Sequence, residues 1–374
     1  MLFINYIMYK KLCLVYNYAQ HYRQEIFQLL DKELDCDFYF GDKMGDVKKL
    51  DYNLLHNFQT ELENHRIGNS FYYQKGINKC LRKNYTDYIF LGEVRCLSTW
   101  WALFYCKFSK KKIHLWTHGW YGKESFLEKT LKKAFYSLAD NILLYGDYAK
   151  QLMIKEGFNS KKLHVIYNSL AYDKQLSIRN KLRSSDVFER HFSNSNKNLL
   201  FIGRLSSEKK LGMILEAMKL LRKENQNFNL TLIGNGVEKE SLELKCRDFG
   251  LERFVWFYGA CYDEEELSHL IYNADLCVSP GNVGLTAMHC MSFGLPVLTH
   301  DDFSMQMPEF EAVEEGKTGA YFKYGDVVSL KNSISIFFQN NKNRDKIREL
   351  CYNVIDEKFN PHVQLKTIKN VINL

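Results

Sequence analysis

Three glycine-bearing loops in the second half of the 374-residue chain gather residue types that handle phosphate. The first, Phe201-Ile202-Gly203-Arg204-Leu205-Ser206-Ser207-Glu208-Lys209-Lys210, sets a guanidinium and an ammonium group on one strand-to-helix connection. Arg204 can donate a planar fork of hydrogen bonds to phosphate oxygens, and Lys209 adds a compact charge, so the pair fits a diphosphate. A surface loop leading into a solvated helix start would read the same way. The second loop, Leu232-Ile233-Gly234-Asn235-Gly236, lets backbone come close to a ligand after a strand. It lacks the third glycine of the dinucleotide fingerprint, and an ordinary tight turn shares its residues. The third runs Ser279-Pro280-Gly281-Asn282-Val283-Gly284-Leu285-Thr286-Ala287-Met288-His289. A helix starting near Leu285 would aim free backbone N–H groups at phosphate or sugar oxygens.

Such loops do chemistry only if strands bring them to one edge of a sheet. Short apolar runs at 12–16, 36–40, 88–91, 113–116, 141–145 and 163–167 read as buried parallel strands, with helical spacing between them at 24–34, 97–108, 125–138 and 147–156. A polar stretch at 172–197 interrupts this alternation. It resumes with strands at 199–203, 230–234, 254–258, 276–279, 296–299 and 320–322. Three helices close the chain at 327–338, 344–356 and 363–372, the last set off by Pro361. The expectation is α/β: two doubly wound Rossmann-like domains, 1–175 and 176–355, facing a cleft, with a helix at 356–374 returning to the first domain. Ligands would bind beyond the carboxyl ends of the strands, where the three loops lie.

The order of these loops, together with Val255-Trp256-Phe257-Tyr258-Gly259, Ala274–Pro280, Gly294-Leu295-Pro296-Val297, Pro308-Glu309 and Glu315–Gly319, resembles the second domain of glycosyltransferase family 4 over about residues 198–338. That resemblance implies the GT-B fold, a retaining sugar transfer and a nucleotide diphosphate sugar donor, UDP- or GDP-linked. It implies that Arg204 and Lys209 hold the diphosphate, and that Gly284, Leu285 and Thr286 open the helix facing donor phosphate and sugar. Gly203, Gly234, Asn235, Gly236 and Asn282 belong to the same donor loops. The family usually carries two glutamates eight positions apart, holding sugar and ribose hydroxyls, where this chain has Gly281 and His289. In that respect it resembles a subset of bacterial surface-polysaccharide enzymes with G-N-V-G-L-T-A-x-H. With two cations and a helix terminus supplying charge, the reading calls for no metal and no cofactor.

The first half resembles the family less closely, as befits a domain that binds variable acceptors. His118, in Thr117-His118-Gly119-Trp120, matches the position of a histidine that lies against the reacting sugar; a buried structural histidine is the alternative. His21 and Arg23, at the start of the first helix, are candidates for an acceptor phosphate, or a polar helix start. Glu93 and Arg95 follow another strand and are further acceptor-side candidates. Val165–Ser169 resembles the family's hinge segment, with Ser169 where glycine is usual.

Composition narrows the partners. The formal charge of +7 is concentrated in residues 1–170, with about 25 basic against about 17 acidic side chains. A basic first half suits a lipid surface or a phosphate-bearing glycan or lipid-linked acceptor; no nucleic-acid module signature is present. Ten cysteines without C-x-x-C spacing read as reduced core thiols. No stretch approaches 18 apolar residues, and Met1–Tyr9 lacks the features of a secretion signal, so the expectation is a cytoplasmic protein, peripheral on the inner membrane face. Three other readings remain: a metal-dependent GT-A transferase using Asp35-Cys36-Asp37, a GT-B-fold sugar nucleotide epimerase, and a nucleotide-sugar binder without turnover.

Overall fold

A computed structural model describes residues 12–45 and 47–373; the segment Met1–Tyr9 lies outside them. The chain divides into two units, Met1–Ala171 with Pro361–Leu374, and Tyr172–Asn360.

In the first unit the strands are β1 Leu12–Tyr16, β2 Asp37–Gly41, β3 Phe58–Ile67, β4 Phe71–Lys75, β5 Asp87–Leu91, β6 Lys112–Thr117, β7 Asn141–Leu144 and β8 Leu163–Val165. They form one sheet in the order β4-β3-β2-β1-β5-β6-β7-β8, parallel apart from the antiparallel β3–β4 pair. All five residues of β1 are buried, as a run of Leu-Cys-Leu-Val-Tyr covered on both faces requires. Helix α1 (Gln24–Leu34) packs on one face, where Ile26, Phe27 and Leu30 join one apolar cluster. Helices α2 (Asn78–Leu81), α3 (Leu97–Phe108), α4 (Phe126–Ser137) and α5 (Asp147–Lys155) cover the other, through Cys80, Leu103, Phe135 and Met153. The hairpin β3–β4 has no counterpart in the apolar pattern of the sequence. Its first strand, Phe-Gln-Thr-Glu-Leu-Glu-Asn-His-Arg-Ile, lies next to the edge strand β4 and buries Leu62 alone.

The second unit holds β9 Lys197–Ile202, β10 Phe228–Ile233, β11 Val255–Gly259, β12 Leu276–Ser279, β13 Val297–His300 and β14 Gly319–Phe322, all parallel, in the order β11-β10-β9-β12-β13-β14. The order reverses between β9 and β12, so the loops leaving these two strands diverge around a crevice. Its helices are α6 Tyr172–Arg179, α7 Val187–Phe192, α8 Gly212–Lys223, α9 Lys239–Asp248, α10 Glu264–Asn273, α11 Leu285–Ser292, α12 Val327–Asn340 and α13 Arg344–Glu357. The units divide at Ala171/Tyr172 and Asn360/Pro361 rather than at 175/176 and 355/356. Asp356 explains this: it accepts from Tyr172 Oη at 3.0 Å and from both terminal nitrogens of Arg179 at 3.0 and 2.8 Å, keeping both crossing segments with the second unit.

After Asn360, helix α14 (Pro361–Ile372) joins the first unit beside α1. Leu365, Ile368 and Ile372 complete the cluster around Phe27 and Leu30. Ser169 Oγ donates to Gln364 Oε1 (2.5 Å), and Gln364 Nε2 donates to the Tyr167 carbonyl (2.8 Å). All ten cysteines are free thiols, nine of them buried, and among the described residues no helix is long and apolar enough to cross a membrane. Ile368 is fully buried, so Ile368→Ala is expected to lower stability by about 2 to 4 kcal/mol, read from urea unfolding of the full chain.

Candidate functional site

The β9 and β12 loops of the second unit are held together by one side chain. Lys209 Nζ donates to both the carbonyl and the Oδ1 of Asn282, each at 2.7 Å, and Gly281 N–H returns a bond to the Lys209 carbonyl at 3.1 Å. Partial burial lowers the Lys209 pKa, opposed by the carboxylates of Glu208 and Glu309. Lys209 is thus a fixed charge at the crevice. Gly281 is pressed so closely to the first loop that a Cβ would lie 2.1 Å from the Glu208 carbonyl oxygen. No side chain fits there without moving the β9 loop, and its N–H is already engaged, so Gly281 builds the loop rather than offering a free N–H to a ligand.

Arg204, in contrast, is exposed, and its side chain has no ion pair or hydrogen bond among the described residues. Gly203 and Gly234 sit at the ends of β9 and β10, where a Cβ on Gly234 would lie 1.9 Å from the Gly203 carbonyl oxygen. Gly236 is packed in the same way on Leu205, whose N–H donates to the Asn235 carbonyl at 2.9 Å. The close approach foreseen for these glycines is made first by the neighbouring loop.

Helix α11 begins at Leu285 after Gly284, whose φ of 52° favours glycine, and no side chain caps it. Its first N–H groups have no intrahelical partners. Thr286 Oγ1 is committed to the Ile202 carbonyl at 3.0 Å, tying the helix start to the end of β9. One turn on, His289 Nε2 donates to Glu264 Oε1 at 3.0 Å, and Gln175 Nε2 reaches the same oxygen at 3.0 Å. Burial alone would raise the Glu264 pKa, but the His289 and Gln175 contacts outweigh it and hold the carboxyl below its usual range.

Sequence reasoning missed Glu264, Gln306 and His300. Glu264 lies in an acidic first turn after β11, which is the signal that could have found it. Gln306 is buried; its Oε1 accepts from Val283 N–H (2.9 Å) and its Nε2 donates to Thr299 Oγ1 (2.8 Å), so it locks the β12 loop to the end of β13. His300 is fully buried against Tyr324, with neither ring nitrogen hydrogen-bonded among the described residues. A cavity of about 470 Å³ lined by Arg179, Tyr272, Arg348 and Tyr352 lies away from these loops, beside segments that precede β12 and β13.

In the first unit, His118 follows β6 and Arg23 precedes α1. The structure brings them together around Tyr145, whose ring lies 4.7 Å from that of His118 and 5.1 Å from the Arg23 guanidinium carbon. Arg23 is buried and also lies over the rings of Tyr16 and Trp116, each at 5.6 Å, with Asn168 Oδ1 at 3.4 Å. The guanidinium read as a candidate for an acceptor phosphate is enclosed by aromatic rings. Burial first, then the charges of Arg23 and Lys132, lower the His118 pKa to about 4, and its Nδ1 is buried without a hydrogen-bond partner. His118 is therefore a neutral imidazole at physiological pH. His21 is exposed and turned to the Lys48 carbonyl (3.2 Å). Glu93 accepts from Tyr72 Oη (2.7 Å), and Arg95 is exposed. Of these three, His21 reaches the group through Tyr22, whose ring lies 5.6 Å from that of His21 and 5.7 Å from the Arg23 guanidinium carbon.

The Asp35-Cys36-Asp37 sequence lies at the amino end of β2. Asp35 accepts from Asn57 Nδ2 (3.0 Å), and Asp37 is buried and bonded to Tyr85 Oη. That is the wrong end of the strand for a metal-binding pair serving loops at the carboxyl edge.

Residues 184–353, which lie within the second unit and include its loop cluster, match the family described as glycosyl transferases group 1. The fold is GT-B: two Rossmann-like units with parallel-sheet cores and a helical C-terminal segment, matching HepE of Anabaena solved in complex with UDP (TM-score 0.71, 16% identity, 97% of this chain and 99% of that chain). An uncharacterised 41.2 kDa protein in the cps region of Klebsiella pneumoniae is 24% identical over 256 residues, covering 67% of this chain and 62% of that protein. An uncharacterised glycosyltransferase of Methanocaldococcus jannaschii is 24% identical over 251 residues, covering 66% and 61%. The chain thus spans about three fifths of the length of these two relatives.

Two measurements follow. Gly281→Ala should displace the β9 loop and lower the melting temperature of the second unit by several degrees, seen by calorimetry. The His300 pKa is lowered from 6.5 to about 4 by burial. The unfolded chain therefore binds a proton more readily than the folded one. The stability this group contributes is complete above about pH 6.5 and is lost as the pH falls toward 4, by up to about 1.4 kcal/mol per unit. Unfolding free energies at stepped pH should show a shallower acid slope for His300→Gln.

Proposed function

We propose that the protein is a retaining glycosyltransferase that moves a sugar from a UDP- or GDP-sugar to a glycan or lipid-linked acceptor during assembly of a bacterial surface polysaccharide, working at the periphery of the cytoplasmic membrane. The observation that carries this reading is the cationic crevice of the second unit: an unpaired Arg204, an anchored Lys209 and the uncapped start of α11 on loops that diverge at the reversal of strand order. A diphosphate is the ligand these groups fit. When the bond to the donor sugar breaks, negative charge grows on the leaving phosphate oxygen. Arg204, Lys209 and the N–H groups of Leu285 and Thr286 stabilise that charge without a metal ion. Asn235 and His289 with Glu264 are assigned to hydroxyl groups of the donor.

The first unit is assigned the acceptor. Neutral His118 donates or accepts a hydrogen bond at a sugar hydroxyl; burial, helped by the charge of Arg23 fixed among its rings, keeps that imidazole uncharged. His21, Glu93 and Arg95 contact the acceptor from neighbouring strand ends. The UDP bound in the HepE structure and the cps-region relative support the donor class and the setting.

One observation favours a second reading, nucleotide-sugar binding without turnover: His289 is already engaged by Glu264, and Gly281 offers no side chain. Turnover separates the two. Arg204→Ala is expected to lower kcat/KM by about 10- to 150-fold, the worth of a charged hydrogen bond of about 1.5 to 3 kcal/mol. A loss below about threefold would refute the role. Activity should survive chelation of divalent ions, and UDP or GDP should raise the melting temperature of wild type more than that of Arg204→Ala.

A further inference from the structure

Helices α3 and α4 turn apolar side chains to solvent in a pattern their own core does not need. On α3, Leu97, Trp101, Phe104 and Phe108 recur at helical spacing along one stripe and are all exposed, while Ala102, Leu103 and Cys106 on the inner side are buried. On α4, Phe126, Leu127 and Leu131 are exposed, while Phe135 and Tyr136 face inward. The rings of Trp100 and Phe135 meet at 4.9 Å, so the start of α3 touches the end of α4. Phe108, Phe126 and Leu127 are 87%, 83% and 79% exposed, almost without cover among the described residues. Single exposed apolar residues need no explanation, but seven on two helices that touch, four of them along one stripe of α3, are of the kind that marks an interaction surface.

The side chains of the two helices are mostly basic where they are charged. Glu128 is the single carboxylate of the two helices, and it accepts from the Ser125 N–H in a capping box. Lys107, Lys129 and Lys133 pair with Asp140 and Glu156. Lys110 and Lys112, just past α3, are exposed and have no ion pair among the described residues. A second copy of this chain docked face to face would set those lysines against their own kind. A bilayer with anionic headgroups complements both features, taking aromatic and leucine side chains into its interfacial layer and ammonium groups at its phosphates.

We propose that the α3–α4 face docks on an anionic membrane surface, with Phe108, Phe126 and Leu127 inserted and Lys110 and Lys112 at the headgroups. This rests on the peripheral-membrane part of the function proposed above and gives it a surface. Because sugar transfer is not the readout, failure here and failure of the transfer reading are separable. The test is co-sedimentation of the full chain with phosphatidylcholine vesicles made with and without phosphatidylglycerol. Wild type should bind the anionic vesicles, and more weakly as salt rises. Phe108→Ser/Phe126→Ser/Leu127→Ser should bind at least about tenfold more weakly, with an unchanged far-UV spectrum and melting temperature. Lys110→Glu/Lys112→Glu, an independent variant, should lose the preference for the anionic lipid. Wild type that ignores both vesicles, or a triple variant that binds as wild type does, would overturn the proposal. So would a wild-type dimer in sedimentation velocity that the triple variant converts to monomer, because the face would then join two copies of the chain.

Discussion

The second unit is organised around the bond pair from the Lys209 ammonium to Asn282. A lysine within hydrogen-bond reach of a carbonyl and an amide oxygen loses part of its hydration and gains two fixed acceptors, an exchange that holds only while the loop keeps its shape. The loop is kept by contacts that leave no slack: Gly281 against the Glu208 carbonyl, Thr286 on the Ile202 carbonyl, and Gln306 reaching from beyond β13 to the Val283 N–H. Each belongs to a different strand end. The cation therefore stands where the sheet puts it, and little reorganisation is left for a ligand to drive.

The first unit solves a related problem with rings in place of carbonyls. Arg23 is buried among Tyr16, Trp116 and Tyr145, whose faces attract its charge, and the Tyr16 and Tyr145 hydroxyls meet at 2.8 Å. A cation held in this way acts at short range on His118, disfavouring a second positive charge. The two units thus keep charge in place by different chemistry: one anchors an ammonium by hydrogen bonds, the other cages a guanidinium.

Much of this was legible in the residues themselves. Strands Leu12–Tyr16 and Leu276–Ser279 and helices Gln24–Leu34 and Leu97–Phe108 fall at the limits their apolar patterns set, because the strands are buried runs and the helices carry apolar residues at helical spacing. The β3–β4 hairpin was not legible, since an edge strand with one buried side chain leaves no period to read. Nor were α6 and α7, short segments in the polar stretch between the two alternating series. Among site residues, Arg204 and Lys209 could be placed from local sequence because both lie on one loop. Glu264 and Gln306 could not, because each acts on a residue about 25 positions away that only the folded sheet brings near. The burial of Arg23 was hidden for the same reason: two of the rings around it, Trp116 and Tyr145, come from distant parts of the chain.

The return of α14 to the first unit has a consequence for how the chain is made. The residues that finish the apolar cluster around Phe27 and Leu30 are translated only after all of Tyr172–Asn360. On the ribosome the later half can close its own sheet while the earlier one still shows a bare hydrophobic flank to chaperones and proteases. Order of synthesis and order of completion are therefore reversed, and a stalled or clipped product lacking its last turns would be defective in the half that was made first.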